Sequence, residues 1–237
     1  ISGIVRPSAI NKLKNNLNVA SVSLVELYHI SLIDSAPSIG ADEVQSITVN
    51  GQNITGNGEK VCIIDSGVEK NHPHLANGII AEKCYCSFNS SIGCCPNGLS
   101  EDSSAIDDNG HGTHVAGIII SNHSQYRGVA PKASILALKS CNSSGDCFSD
   151  DIARGISWCT DQNVSIISIS IGGGAFTRSN CSTLQDGTWI LLDRAKDQNV
   201  FVSIASGNNK NANTISAPAC DENAYSVGAT TKIINTI

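Results

Sequence analysis

The side chains best suited to chemistry stand in a glycine-rich stretch near the middle of the chain. Asp107–Gly117 reads Asp–Asp–Asn–Gly–His–Gly–Thr–His–Val–Ala–Gly. Its histidines, His111 and His114, can each act as an acid, a base or a metal ligand. The small residues around His111 let a substrate or the backbone approach closely. Three interpretations stay open on these residues alone: a structural turn, a metal site of His111, His114 and an aspartate, or acid–base catalysis.

Two further polar motifs each follow a short apolar run. Val61–Ile64 leads directly into Asp65–Ser66–Gly67–Val68, which places a carboxylate after a run typical of a buried strand. Val202–Ala205 leads in the same way into Ser206–Gly207–Asn208. Taken alone, an aspartate or asparagine at such a position is more often part of a turn. The functional interpretation is a carboxylate and an amide donor beside one site.

The segments that must position these motifs alternate between strand and helix patterns. Short apolar runs typical of strands buried on both faces are Val61–Ile64, Ile135–Leu138, Ile166–Ile171 and Val200–Ala205. Between them, helices are predicted over Val115–Ile120, from an N-cap at Ser149 to about residue 162, and after a cap at Asp186. This alternation predicts a three-layer α/β fold, with a mostly parallel central sheet and helices on both faces. Sites in such folds lie at the carboxyl ends of the strands, where Asp65 and Asn208 fall.

Composition indicates an exported protein and argues against two classes of partner. Ten cysteines in 237 residues are unusual for a reduced cytosolic enzyme, so we predict a secreted, extracellular protein. A net charge of −6 does not suggest nucleic-acid binding. No apolar run approaches the roughly 20 residues that a membrane-spanning helix needs. We expect a monomer that binds neither nucleic acid nor membrane.

Together the three motifs resemble those of the subtilisin-like serine proteases, the subtilases of peptidase family S8. Asn109–Gly117 is similar to the family's histidine motif almost letter for letter, and it is the most specific match. Asp65–Val68 resembles the aspartate motif, and Ser206–Asn208 resembles the motif whose asparagine completes the oxyanion hole. The resemblance covers residues 34–237. It implies a serine endopeptidase that hydrolyses peptide bonds in protein or peptide substrates.

The resemblance assigns roles by position. It implies that His111 is the general base, that Asp65 orients His111, and that Asn208 donates to the oxyanion. The segment Ser170–Ile171–Gly172–Gly173 resembles the one that pairs with substrate backbone and forms one wall of the primary specificity pocket. In the family, the histidine at the position of His114 is a buried structural residue. The resemblance therefore favours a structural role for His114 over metal binding.

The nucleophile of the family is not found in this sequence. The family's serine lies in a Gly–Thr–Ser stretch, and no Gly–Thr–Ser occurs among the 237 residues. We therefore expect a fragment whose serine lies beyond Ile237, and one that is inactive alone because Asp65 and His111 have no hydroxyl to activate. Two rival hypotheses stay open. One is a pseudoprotease that binds peptides without cutting them, and the other is a metal-dependent hydrolase that uses His111 and His114.

The resemblance also divides the chain near residue 33. Residues 1–33 resemble the C-terminal part of the family's inhibitory α+β propeptide, which implies a zymogen whose own propeptide acts as an intramolecular inhibitor. Ala9–Leu17 predicts a short helix there, and Val19–Leu27 predicts a strand. Asp34–Pro37 is predicted to be a linker. Residues 34–237 are then the catalytic domain, incomplete at its C-terminus.

The cysteine spacing predicts a set of disulfides. Cys141 and Cys147 flank a flexible loop that a disulfide could close. Cys181 and Cys220 resemble a pair found in some members of the family. The close cluster between residues 84 and 95 could bind zinc, but an exported protein favours disulfides, with three pairings open. The members of this cluster are Cys84, Cys86, Cys94 and Cys95.

The other cysteines and the acidic residues lead to weaker predictions. Cys62 and Cys159 lie on apolar faces and are predicted to be buried thiols. No cofactor is expected for catalysis. Many members of the family bind structural calcium, and Asp107 and Asp108 are acidic candidates for it. The sequence has no compact Asp-rich loop of known spacing, so it identifies no calcium ligands.

Overall fold

The structure is a computed structural model, and it describes residues 6–16, 18–19, 32–75, 77–89, 92–181, 187–209, 211 and 213–230. The chain divides into two compact units, Ile1–Ser31 and Leu32–Ile237. In the first unit, helix α1 spans Pro7–Lys14 and begins with a proline, whose missing N–H would have no partner in the first turn of a helix. The strand predicted over Val19–Leu27 lies outside the described residues, apart from Val19.

The second unit contains the remaining elements. Its helices are α2 Leu32–Ser38, α3 Ala41–Ser46, α4 His111–Ile120, α5 Ser149–Asp161, α6 Arg178–Cys181 and α7 Thr188–Asp197. Its strands are β1 Thr48–Val49, β2 Gln52–Asn53, β3 Lys60–Asp65, β4 Ile79–Tyr85, β5 Ser87–Asn89, β6 Ile92–Gly93, β7 Glu101–Asp102, β8 Ser134–Lys139, β9 Ile166–Ile169, β10 Gly173–Phe176, β11 Phe201–Ala205, β12 Ile215–Ala217 and β13 Tyr225–Val227.

Seven strands form one central sheet in the order β13-β11-β9-β3-β8-β4-β7. The neighbours pair in parallel except β4 and β7, which pair antiparallel. The four apolar runs of the sequence form β3, β8, β9 and β11, so the predicted mostly parallel sheet is confirmed. The register aligns Asp65 with Lys139 on β8, and Ile64 with Ile169 on β9. The residues that end these strands therefore meet at one edge of the sheet.

Helices cover both faces of the sheet, and the side chains of β3 show how. Cys62 and Ile64 belong to the core cluster that also contains α5 and α7 residues. Val61 and Ile63 belong to a second cluster with Val115 and other residues of α4. Because successive side chains of a strand point to opposite faces, this alternation shows that the two clusters lie on opposite sides. The three-layer prediction is therefore confirmed.

Two predictions about local structure are wrong. Asp34–Pro37 is not a linker, because it lies inside α2. Pro37 lies one residue before the end of α2, so the helix stops just after the one hydrogen bond that the proline cannot make. Ser149 does not cap α5 but is its first residue, with Phe148 at the cap. Helix α7 begins after Gly187, and Asp186, its predicted cap, lies outside the described residues.

All ten cysteines are joined in disulfides, which excludes a zinc site in the cysteine cluster. The prediction that Cys62 and Cys159 are buried thiols is wrong, because they are bonded to each other across the core between β3 and α5. The sequence placed each of them on an apolar face but could not show that the two faces meet. The other pairs are Cys84–Cys95, Cys86–Cys94, Cys141–Cys147 and Cys181–Cys220, of which the last two are those named from the sequence.

Candidate active site

A carboxylate and an imidazole meet at the carboxyl end of the central strand. Asp65 ends β3 and His111 begins α4, and Asp65 Oδ1 lies 2.7 Å from His111 Nδ1. The Asp65 side chain is 2% exposed, whereas that of His111 is 51% exposed. A carboxylate can only accept a hydrogen bond, so Nδ1 carries the proton and Nε2 of the neutral ring is left as a base. The arrangement can take a proton from a group that approaches from solvent.

The first turn of α4 is held by acceptors from outside the helix, which fixes where His111 stands. The leading N–H groups of a helix lack partners within it. Here the N–H of His111 donates to Asn109 Oδ1 at 3.2 Å, and that of Gly112 donates to Ser66 Oγ at 2.9 Å. The N–H of Thr113 donates to Asp107 Oδ2 at 2.9 Å. The base is thus tied to the turn that carries Asp65.

Asp107 is the centre of this network. Its carboxylate accepts bonds from the backbone N–H groups of Asn109, Gly110 and Thr113, and from the hydroxyls of Ser66 and Thr113. Burial opposes the ionisation of Asp107, but these donors outweigh burial and lower the pKa of its carboxyl. An ionised Asp107 at the start of α4 also suits the positive end of the helix dipole.

Two glycines let the segments that contain Asp65 and His111 approach each other. Gly67 has a φ of +109°, and a Cβ there would lie 2.4 Å from the carbonyl oxygen of Ala105. A Cβ at Gly112 would lie 2.0 Å from the carbonyl oxygen of Gly67 and 3.1 Å from Asp65 Cβ. Since real side chains do not pack so closely, any larger residue at Gly112 would move His111 away from Asp65.

Burial dominates the electrostatics of the aspartate. It raises the pKa of Asp65 above its ordinary value, while the bonds from His111 and the Ser66 N–H oppose that shift. Asp65 Oδ1 takes both bonds, and Oδ2 is buried with no partner among the described residues. The carboxylate is therefore held in a poorly solvated place where a positive charge on His111 would stabilise it.

The segments predicted to supply an amide donor and to bind substrate lie at the same carboxyl edge of the sheet, on the opposite side of β3 from β8. Ser170 directly follows β9, which is the neighbour of β3. Asn208 lies three residues after β11, the next strand along, and is exposed. Two strand spacings separate β3 from β11 by about 10 Å. The segment from Ser170 to Gly173 continues into β10, which pairs antiparallel with β12.

This edge of the sheet has two halves, the dyad side and the amide side. The dyad side consists of residues 65–67, 107–114 and 139–147, and it contains Asp65 and His111. The amide side consists of residues 170–176, 205–209 and 213–217, and it contains Asn208.

Sequence reasoning missed the residues that hold the dyad in place. Ser66 stood in the aspartate motif without a role, and Asp107 was considered only as a possible metal ligand. Asp108 forms an ion pair with Lys139 instead of standing free as a ligand. The usable signal was the aspartate three residues before Gly110, because an acidic side chain before a helix start commonly accepts its first N–H groups. Structural calcium stays a prediction.

The metal interpretation of the histidines has no ligand set in the described part of the chain. Among those residues, no three His, Cys, Asp or Glu side chains are grouped so that they could hold a metal ion.

The prediction that His114 is buried is wrong, because it is exposed. The face of α4 that packs on the sheet contains Val115, Ala116 and Ile120, and His114 lies off that face. It lines a cavity of about 360 Å³ with His72, His74, His123 and Tyr126 among others.

Comparison with known proteins gives matches over most of the chain. The profile of the Subtilase family matches residues 56–236. Serine protease AprX of Bacillus subtilis (strain 168) is 30% identical over 241 residues, which cover 96% of this chain and 50% of AprX. Thermitase of Thermoactinomyces vulgaris is 35% identical over 178 residues, covering 74% of this chain and 56% of thermitase. The chain therefore spans about half the length of these curated relatives.

Solved structures give the same result for the fold. Sphericase superposes with a TM-score of 0.61 at 28% identity, covering 79% of this chain and 58% of that chain. A cold adapted subtilisin-like serine proteinase superposes with a TM-score of 0.59 at 27% identity, covering 81% of this chain and 64% of that chain.

None of the described helices in the present protein is long and apolar enough to cross a membrane.

Proposed function

The chain belongs to the subtilase family, and from that premise we propose that it supplies two members of the catalytic triad of a serine endopeptidase. Relatives that carry the name serine protease support this class of activity, with proteins as substrates. The observation that carries the proposal is the 2.7 Å contact between Asp65 Oδ1 and His111 Nδ1, with half of the His111 side chain open to solvent.

In the proposed reaction, His111 is the general base and then the general acid. Its Nε2 takes the proton of a serine hydroxyl as that oxygen attacks the scissile carbonyl, and later gives the proton to the leaving amine. Asp65 keeps the Nδ1 proton in place and stabilises the imidazolium that forms. The side-chain amide of Asn208 donates to the oxyanion, an interaction that is stronger in the transition state than in the substrate complex.

The substrate is proposed to lie along the amide side. Ser170–Gly173 has exposed glycines at its end and leads into β10, so its backbone groups are accessible for pairing with an extended peptide. A peptide added as a strand at this place would bring its scissile bond towards His111 and Asn208, because both residues lie at the carboxyl edge of the same sheet. This supports a role in substrate binding for Ser170, Ile171, Gly172 and Gly173.

We place the nucleophile outside residues 1–237, since the family's Gly–Thr–Ser stretch does not occur among them. Residues 1–33 are proposed as part of an inhibitory propeptide, so that the enzyme would be made as a zymogen. Secretion is proposed as well. It is supported by five disulfides in one chain and by the similarity to the Minor extracellular protease Epr of Bacillus subtilis (strain 168).

The test uses the full-length gene product, its His111→Ala variant and the 237-residue chain. We expect the full-length protein to hydrolyse casein, to be inactivated by a sulfonyl fluoride, and to carry that label on a serine after Ile237. His111→Ala should lower kcat/KM by about 10³-fold or more. The 237-residue chain should be inactive. Hydrolysis that survives in His111→Ala, a label on a serine within residues 1–237, or loss of activity with a chelator but not with the sulfonyl fluoride would each overturn the proposal.

A further inference from the structure

A lysine is buried directly beside the catalytic dyad. Lys139 ends β8, opposite Asp65 in the register of the sheet, and its side chain is 1% exposed. An ammonium group in the interior is unfavourable unless it is paired and hydrogen-bonded. All three N–H groups of this ammonium have acceptors: the carbonyl oxygens of Ser66 at 3.0 Å and Cys141 at 2.8 Å, and Asp108 Oδ1 at 2.5 Å.

The three acceptors belong to three different segments of the dyad side. Ser66 follows Asp65 in the turn after β3. Asp108 stands in the loop that leads to His111, three residues before it. Cys141 begins the loop that its disulfide with Cys147 closes. One ammonium group therefore joins the aspartate turn, the histidine loop and the disulfide loop at a point that solvent does not reach.

Packing alone gives no reason for a lysine at this position. An apolar side chain of similar volume would fill the space without the cost of desolvating a charge. The cap of α4 does not need it either, because the bonds to the first turn come from Ser66, Asp107 and Asn109. What Lys139 adds is a link to Asp108, whose side chain is 45% exposed and has no other hydrogen-bond partner in the described part of the chain.

We propose that Lys139 is a positioning residue, which holds the loop before His111 against the turn after Asp65 and so keeps the imidazole in line for proton transfer. This inference rests on the proposed function, because it assigns Lys139 a part in the same reaction. Lys139 touches neither substrate nor the reacting atoms. It acts through Asp108 on one side and through the Ser66 carbonyl on the other.

The first variant is Lys139→Met, which keeps an unbranched side chain and removes the charge and all three bonds. The histidine loop then loses its link to the aspartate turn, and Asp108 turns to solvent. A displacement of about 1 Å at a catalytic group can cost about 100-fold in rate, so we expect kcat to fall by about 10- to 100-fold with KM within about twofold of wild type.

The second variant, Asp108→Asn, changes an exposed side chain and should leave the fold intact. It keeps an oxygen acceptor for Lys139 but removes the opposite charge, so we expect a smaller fall in kcat, about three- to tenfold. Lys196→Met is the matched control, since Lys196 is exposed and its ammonium donates only to Asn223 among the residues that the structure describes. It should leave kcat and KM unchanged.

The readout that separates positioning from plain stabilisation is the ¹H resonance of the His111 Nδ1 proton and its pH titration. If Lys139 positions His111, both variants shift that resonance and its titration midpoint at a temperature where each is fully folded. The inference is overturned if Lys139→Met and Asp108→Asn keep the wild-type kcat and the wild-type titration. Should Lys139→Met fail to fold, Asp108→Asn decides alone. If wild type hydrolyses nothing, the proposed function fails, while the resonance still tests whether Lys139 places the ring.

Discussion

The dyad side and the amide side lie at the same sheet edge but are held in different ways. On the dyad side, Asp107 alone accepts five hydrogen bonds, and the buried Lys139 donates three more. On the amide side, the structure shows a short pairing of β10 with β12 and the bonds of Asn209 and Ser216 to Gly174. Asn208 itself is exposed.

The difference follows from what each side must do in the proposed reaction. A general base must keep a fixed distance to its orienting carboxylate through the whole cycle, so its supports are many and buried. The amide side must admit a peptide and release it, so its backbone has to stay accessible. We therefore expect single substitutions to act on turnover when they remove a reacting group, and on substrate binding when they loosen the amide side.

The largest effect should come from Asp65→Asn, which tests whether the dyad side serves catalysis more than folding. An amide beside His111 Nδ1 can donate to the ring and so favours the wrong tautomer, and kcat should fall by about 10³- to 10⁴-fold. Hydrolysis of a peptide by the full-length protein measures this effect. A fall of less than about tenfold would show that the carboxylate does not orient the base.

The same variant should not weaken the fold, and the pH dependence shows why. Burial raises the pKa of Asp65 in the folded protein. At pH values between the unfolded pKa of about 3.9 and this raised pKa, the folded state holds a proton that the unfolded state has lost. Wild-type stability therefore falls through that window, whereas an asparagine cannot ionise. Asp151 and Asp221 also have pKa values raised by burial and remain in the variant. Urea unfolding from about pH 4 to about pH 8 should therefore show a larger fall in wild type than in the variant. A variant that unfolds more easily at pH 7 would mean that the carboxylate is structural.

The second effect concerns Asn208→Ala on the amide side. Removing one donor to an oxyanion costs about 10²- to 10³-fold in kcat, because the bond is made mainly in the transition state. KM and the melting temperature should hardly change, since Asn208 is exposed. Steady-state kinetics and thermal unfolding of the full-length protein check both statements. A change in KM with an unaltered kcat would assign Asn208 to substrate binding instead.

The sequence predicted the sheet, its parallel strands and the residues that meet at its edge, because apolar runs and strand ends are local patterns. It could not predict which distant segments touch. Cys62 and Cys159 form one disulfide, although each position taken alone fitted a buried thiol. Lys139 directly follows the apolar run Ile135–Leu138 and had no predicted role, and only the folded chain places its ammonium between Ser66 and Asp108. Gly112 was recognised as small, but the approach of Gly67 to it depends on tertiary structure.

The smallest effects should come from a matched pair of asparagines, one on each side. Asn109 bonds the His111 N–H and the Ser143 carbonyl, and Asn209 bonds the Gly174 carbonyl and the Ser216 hydroxyl. Both asparagines are exposed, and alanine removes two hydrogen bonds in each case. Each bond is worth about 1 kcal/mol when nothing replaces it.

Because Asp107 and Lys139 still hold the dyad side, Asn109→Ala should lower kcat/KM by less than about threefold. Asn209→Ala should lower kcat/KM by about tenfold, mostly through KM, because fewer bonds remain to hold the Gly174 and Ser216 segments together. Parallel measurements of kcat and KM for the two variants, with urea unfolding to confirm that both are folded, check the comparison directly. Equal losses in the two variants would mean that the dyad side is no better supported than the amide side. The support of the base would then rest on the Asp65–His111 bond itself and not on the network behind it.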